Sequence, residues 1–414
     1  MKTNSELARV LTLKDAVAVG LGAIIGAGIF VVTGVAAGIS GPAMIIGLII
    51  AGIVASFNAL SSAQLAAVYP QSGGTYEYGY QLLNPTLGFS AGWMFLISKL
   101  SAAGVVAIGF GNYFYQLLPV VPPLYYSIIA VLILTIANYM GIKKAGILNL
   151  TIVFVTIISL LYLIVSGFPE IKKENFEPFA PFGISGIAEA TALLFFAFTG
   201  YARIATLAEE VKEPEKTIPR AVIITIVTAI ILYALISVVA VGVIGAEAMA
   251  ASKSPLQQVA FSLSYPFVGA IITLGASTAM LGVLLSQILG ISRMMLAMGR
   301  RKDLPVFFEK IHAKNKVPHI SIFITGAIII LLTVLGSFEF IVRSASFTIL
   351  LYYSITNIAA LKQPLHEQRF GKAVPLLGLI GCLVMAVSLP FQVIVSGLVI
   401  LLFGNVLKLV LNKF

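Results

Sequence analysis

The sequence predicts an all-α membrane protein of twelve transmembrane helices, and three observations carry that prediction. The first is composition: of 414 residues, 59% are hydrophobic and only 10% charged, with a mean hydropathy of +1.04, where a soluble domain carries about 25% charged residues. The second is the recurrence along the chain of apolar runs near the roughly 20 residues a helix needs to cross the hydrocarbon core. The third is sidedness. With the N-terminus inside, 19 of the 26 Lys and Arg residues fall in cytoplasmic loops and tails, three outside and four within apolar runs. That asymmetry sets both termini in the cytoplasm of a cell membrane. The net charge of +10 thus reports orientation, and no nucleic-acid partner is implied.

Taken in order, the predicted spans are 15–39, 43–67, 87–116, 123–140, 146–167, 186–208, 220–244, 267–298, 320–337, 341–361, 373–389 and 391–411. The apolar part of the first is too long for a signal-peptide core, so it is expected to stay as the first helix. The last two are divided only by Leu389-Pro390, which suits two spans or one re-entrant pair. Loops are short, and residues 1–414 are expected to form a single transmembrane domain in contact with lipid. No G-x-x-x-x-G-K-[ST] loop is present to hold ATP. The one cysteine, Cys382, has no partner for an internal disulfide. His312, His319 and His366 all lie in cytoplasmic segments, and no two carboxylates share a span interior. An intramembrane enzyme lacks its constellation here, and no cofactor or metal site is expected.

Glycines and buried charges mark the functional candidates. Span one holds Gly20, Gly22, Gly26, Gly28 and Gly34. Gly22 and Gly26 have the small-xxx-small spacing of tight helix packing; alternatively the helix breaks at Gly26-Ala27-Gly28, exposing backbone N–H groups to a buried anion. Span six carries a comparable interruption at Phe195-Phe196-Ala197-Phe198-Thr199-Gly200-Tyr201. Matching interruptions in two halves of a chain point to the binding site of an inverted-repeat transporter. Spans one and six are five apart, an odd number, so the second unit is inverted relative to the first: five plus five, about 13–168 and 185–362, followed by two additional helices at about 372–411. Lys99 sits mid-way along span three, where a charge costs about 2.5 kcal/mol or more; it faces a polar pathway or the span is shallower than drawn. Arg203 is a gate candidate or pairs with Glu209 or Glu210. Arg293 and Arg343 lie where they can snorkel, Asp15 is placed to cap span one, and Glu189 is read as interfacial.

Three segments then resemble the amino acid–polyamine–organocation permeases: Gly26-Ala27-Gly28-Ile29-Phe30 in span one; Pro70-Gln71-Ser72-Gly73-Gly74-Thr75-Tyr76-Glu77-Tyr78 after span two; and Gly200-Tyr201 followed by Glu209-Glu210-Val211-Lys212-Glu213-Pro214 through Pro219-Arg220. The resemblance runs over about residues 10–375. It implies the broken-helix (LeuT-like) transporter fold and a secondary amino acid permease working by alternating access. It further implies that backbone around Ala23, Ile24, Gly26, Ala27 and Gly28 receives a substrate carboxylate, that carbonyls around Phe195, Phe196 and Phe198, near Gly200, receive its amino group, and that Phe196 is an aromatic lid.

The chain also departs from the family pattern. A relative carries a span-five lysine that replaces a sodium ion, and Thr156 stands in that position here. Lys99, with Arg203, is therefore the candidate for proton coupling or gating. No acidic residue lies deep in spans one, three, six or eight, which favours small or medium neutral amino acids, carried with protons and without sodium. An exchanger, a uniporter or a transporter-like sensor are the alternatives.

Overall fold

The computed structural model describes residues 11–69, 73–141, 145–201, 204 and 211–411. Regular structure among them is helical, apart from one isolated bridge between Leu11 and Val211. Arg203, Glu209, Glu210 and Pro70–Ser72 lie outside the described residues. Nine helical runs among those described are long and apolar enough to cross a membrane, and two shorter apolar helices, His319–Leu335 and Ala373–Val387, join them. The first of the nine is an unbroken tally of 56 residues, Leu13–Val68, but chain geometry divides it twice. Helix α1 (Leu13–Ile24) stops at an extended Ile25, α2 (Thr33–Ser40) follows, and a turn at Gly41 precedes α3 (Met44–Val68). Gly41 has φ +62°, a conformation only glycine adopts without strain.

The rest run α4 (Thr75–Leu82), α5 (Pro85–Leu117), α6 (Pro123–Met140), α7 (Ala145–Gly167), α8 (Gly183–Leu194), α9 (Pro214–Ile244), the short α10 (Ala246–Ala251) and α11 (Pro255–Ser262), α12 (Val268–Arg300), α13 (His319–Leu335), α14 (Phe338–Lys362), α15 (Ala373–Val387) and α16 (Phe391–Leu411). Most helix ends fall within a few residues of the expected spans, because the apolar runs are closed by capping signals. Asn84 accepts the Leu87 N–H at 2.9 Å ahead of Pro85 at the first helical position, a residue pair suited to a helix start. Asp15 is not the cap of α1. Thr12 is, and Asp15 sits three residues in, accepting the Thr12 N–H at 2.8 Å and hydroxyl at 2.6 Å; this is the reciprocal arrangement of a capping box.

The 33-residue α5 is the central post, packed against α12 and α14, while α1 packs on α7, α9 and α12. Helix α16 is mostly exposed, as a lipid-facing outer helix would be. At the end opposite the basic loops, Arg343 of α14 pairs with Glu189 of α8 at 2.9 Å and with Glu339 at 3.4 Å. Both residues were expected to act as separate interfacial groups; facing helices bring them together, which sequence distance concealed. Arg293 is exposed on α12, consistent with snorkelling.

Candidate substrate site

The break in the first membrane helix is built from freed backbone groups and the side chains that satisfy them. Ile25 takes φ −77°, ψ 105°, and after it residues Gly28–Val32 wind as a wider π-turn. Carbonyls released by such a break must find donors in a medium without water. Tyr233 donates its hydroxyl to the Ile24 carbonyl at 2.9 Å, Tyr113 to the Phe30 carbonyl at 2.6 Å, and Thr33 to the Ile29 carbonyl at 2.8 Å. The sixth span is interrupted in the same manner. Helix α8 gives way at Phe195 to a tight 3₁₀ segment, Phe195–Tyr201. There the Thr199 carbonyl accepts from both Lys99 Nζ and Tyr353 Oη, each at 3.3 Å, and the Phe196 carbonyl accepts from the Thr199 hydroxyl at 3.0 Å.

The two breaks touch through glycine. A Cβ at Gly28 would sit 2.5 Å from Ala197 Cα, and one at Gly200 would overlap the Ala23 carbonyl. Both glycines therefore permit backbone-to-backbone approach. At Gly26 a Cβ would meet a Val283 methyl at 2.9 Å, so this glycine opens room toward α12. Close packing and a helix break are thus one feature here, where the sequence presented them as alternatives.

A cavity of about 80 Å³ lies at the meeting of the breaks. A single water needs about 10–15 Å³ of such space, so the cavity takes several waters or a small solute. Ala23, Ile24, Gly26, Ala27, Gly28, Phe196 and Gly200 line it, together with Lys99. Phe195 and Phe198 do not. Both are fully buried behind the break, Phe195 edge-on to Tyr353 at 5.8 Å and Phe198 against Tyr233 at 5.4 Å, because a 3₁₀ segment turns successive side chains about 120° apart. Thr156 also lies off the cavity, bonded to the Ile152 carbonyl at 2.8 Å and 3.4 Å from that of Gly275.

Sequence reasoning missed the third wall. Val283, Ser286, Gln287, Gly290 and Ile291 of α12 face the space, as do Phe95 and Val106 of α5. A Ser-Gln pair midway along an apolar 33-residue helix was the available signal. Lys99 stands on the cavity wall, where its ammonium meets the Thr199 carbonyl of the sixth span and lies 5.9 Å from the Phe95 ring.

A second polar region occupies the basic end. Asp303, 3% exposed, accepts the hydroxyls of Tyr76 and Tyr80, both at 2.6 Å, and Lys408 of α16 lies 3.7 Å away. Lys408 also donates to Tyr80 Oη at 2.8 Å and to the Pro85 carbonyl at 2.6 Å. Arg301 pairs with Glu77 at 2.6 Å and stacks 4.2 Å over the Tyr80 ring. Burial, then the hydrogen bond to Asp303, pushes both phenol pKa values well up. Tyr76, Glu77 and Tyr80 of α4 are accordingly the seat of a charge cluster that ties α4 to the turn after α12 and to α16.

A model of the family described as "Amino acid permease" matches residues 15–410. The chain belongs to the amino acid permease family. As a family member it is a multi-pass membrane transporter of the amino acid–polyamine–organocation superfamily. It is 38% identical over 398 residues to a transporter of Mycobacterium bovis whose name calls it uncharacterised, a match covering 96% of this chain and 90% of that one. It is 30% identical to a branched-chain amino acid permease of Bacillus subtilis over 99% of this chain and 94% of that one. A methylthioribose transporter of the same organism is 30% identical over 78% of this chain and 74% of its own length.

Proposed function

We propose that this permease carries small or medium neutral amino acids together with protons, without sodium, by alternating access of one cavity. The observation that carries the reading is the cavity between the two helix breaks, whose wall holds one cation and no carboxylate among the described residues. A zwitterion needs donors at one end and acceptors at the other, and two opposed breaks supply both. In this reading the backbone at Ala23, Ile24 and Gly26–Gly28 takes the carboxylate, carbonyls of the 195–200 segment take the ammonium, and Phe196 closes the cavity. Phe95, Val106, Val283 and Ile291 offer an aliphatic side chain an apolar wall, in keeping with relatives named for branched-chain amino acids. One relative is named for methylthioribose, so the cargo is argued from the cavity and not from kinship.

The architecture proposed with it is twelve spans in one domain: an inverted five-plus-five repeat and two further helices, with the basic end and both termini in the cytoplasm. Corresponding breaks in the first and sixth spans support the repeat, and the count of basic residues supports the orientation. Lys99 supplies the movable charge: protonated, it ties α5 to the sixth span at Thr199, and deprotonation loosens that tie and favours release.

Uptake by proteoliposomes tests the proposal. An inward proton gradient in sodium-free buffer should drive accumulation of a neutral amino acid, and collapse of the gradient should abolish it. Accumulation that depends on sodium contradicts the coupling. Uptake that depends only on amino acid preloaded inside makes the protein an exchanger.

A further inference from the structure

The segment joining α12 to α13, residues 301–318, lies at the basic end of the bundle and lines no part of the cavity. Its backbone is tied down at several points. Phe308 is buried against the end of α12, where a Cβ on Gly299 would meet the Phe308 Cβ at 2.9 Å. The His312 N–H donates to the Val317 carbonyl at 2.8 Å, and the His312 carbonyl accepts the Lys316 N–H at 2.9 Å. Asn315 Nδ2 donates to the Tyr139 carbonyl of α6 at 2.9 Å. Held in this way, the loop leaves Val306, Phe307 and Ile311 turned outward, 54%, 42% and 45% exposed.

Charge surrounds those three side chains. From Arg300 to Lys316 the sequence has six basic residues and two acidic ones. Arg301 is taken by Glu77, and Asp303 by the Tyr76 and Tyr80 hydroxyls. Arg300, Lys302, Lys310, Lys314 and Lys316 remain, all exposed, with only Glu309 exposed against them. None of the five has an ion-pair partner among the described residues. Sidedness accounts for basic residues in such a loop. It does not account for large apolar side chains standing among them, which in water would be an exposed patch in want of a partner.

We infer that the loop between α12 and α13 binds anionic phospholipid, with Lys310, Lys314 and Lys316 meeting headgroup phosphate while Phe307 and Ile311 enter the acyl boundary. Apolar side chains beside cations are what a segment needs to lie on an anionic bilayer, and both flanking helices lead out of one. A zwitterionic headgroup carries its own cation and cancels much of the attraction. A soluble anion would leave the apolar side chains in water.

Thermal unfolding tests this, since a ligand of the folded state raises the transition temperature. The full chain in neutral detergent is titrated with dioleoylphosphatidylglycerol, with dioleoylphosphatidylcholine and with inorganic phosphate. Phosphatidylglycerol should act at a concentration about tenfold or more below phosphatidylcholine, one lysine near an anionic surface being worth about fivefold. The combined change Lys310→Gln, Lys314→Gln and Lys316→Gln should abolish that preference. Phe307→Ser with Ile311→Ser should weaken phosphatidylglycerol several-fold while every charge stays in place. Equal action of the two lipids overturns the inference, as does an unchanged preference in the lysine variant. Inorganic phosphate acting as well as phosphatidylglycerol, or no effect of the apolar change, makes the loop a patch for soluble anions and overturns it too. Should the triple variant fail to insert, Lys314→Gln takes its place with an expected loss of about fivefold.

Discussion

Two lysines on apolar helices, Lys99 and Lys408, are held in opposite ways. Lys408 is enclosed by a carboxylate, a phenol and a carbonyl, and its ammonium also lies about 5 Å over the rings of Tyr80 and Phe89. Lys99 rests 3.3 Å from a neutral backbone carbonyl at the edge of a cavity. A charge with a built counter-charge is fixed in place, since removing either partner strands the other in a low dielectric. The ammonium of Lys99 is held on the cavity wall at a backbone carbonyl of the sixth span, and it is the charge that the proposed coupling moves. In the proposed mechanism the first region stays assembled and the second responds to what fills the cavity.

The largest effect should come from the contact between the breaks. Gly200→Ala would place a methyl group in the Ala23 carbonyl, and a displacement of about 1 Å in a binding geometry costs about 100-fold in rate. Transport should fall by that order while the protein still inserts. Near-normal uptake would show that the breaks need not touch. Next comes the fixed cluster: Asp303→Asn leaves Lys408 without its counter-charge and should cost about 3 kcal/mol of stability, read as a lowered unfolding temperature in detergent. Protein that survives should bind substrate with unchanged affinity. Reduced affinity at normal stability would erase the distinction between the two regions.

Proton response separates them further. The Tyr76 and Tyr80 phenols have pKa values raised by burial and by their bonds to Asp303. A group whose folded-state pKa is raised stabilises the fold fully below its unfolded value, about 10, and loses that contribution only as pH climbs through the folded value. Neither phenol titrates between pH 5 and pH 9, so pH dependence of transport in that window has its source elsewhere.

Much of this was legible beforehand, and what was hidden has a common cause. Apolar runs and caps fix helices locally, which is why spans such as 123–140 and 391–411 match the observed helices α6 and α16. The glycine breaks were visible because glycine weakens a helix wherever it stands. Partners across the fold were not: nothing near Asp303 in the chain announces Tyr76, Tyr80 or Lys408, and Arg343 gives no sign of Glu189. The 3₁₀ twist that turns Phe195 and Phe198 away from the cavity, leaving Phe196 on its wall, depends on backbone geometry that residue type does not encode.

Smaller effects sharpen the comparison at the cavity and at the outer pair. Phe196→Ala should lower transport several-fold more than equilibrium binding, because a lid acts on occlusion; parallel losses, or none, would remove Phe196 from that role. Glu189→Gln removes the charge from the mostly buried partner of Arg343, which keeps Glu339 as a second partner, and a loss of about 1–3 kcal/mol is expected, read as a lowered unfolding temperature. A large loss of transport from that change would place a gate at the outer pair.

The movable charge is the claim on which coupling depends, and Lys99→Arg tests it most directly. Arginine keeps the charge and does not deprotonate in the working range. In proteoliposomes the variant should still exchange amino acid across the membrane in counterflow, yet fail to accumulate it when an inward proton gradient is applied. Accumulation by Lys99→Arg with an unchanged pH profile would contradict the account, and would make Lys99 a fixed structural charge like Lys408.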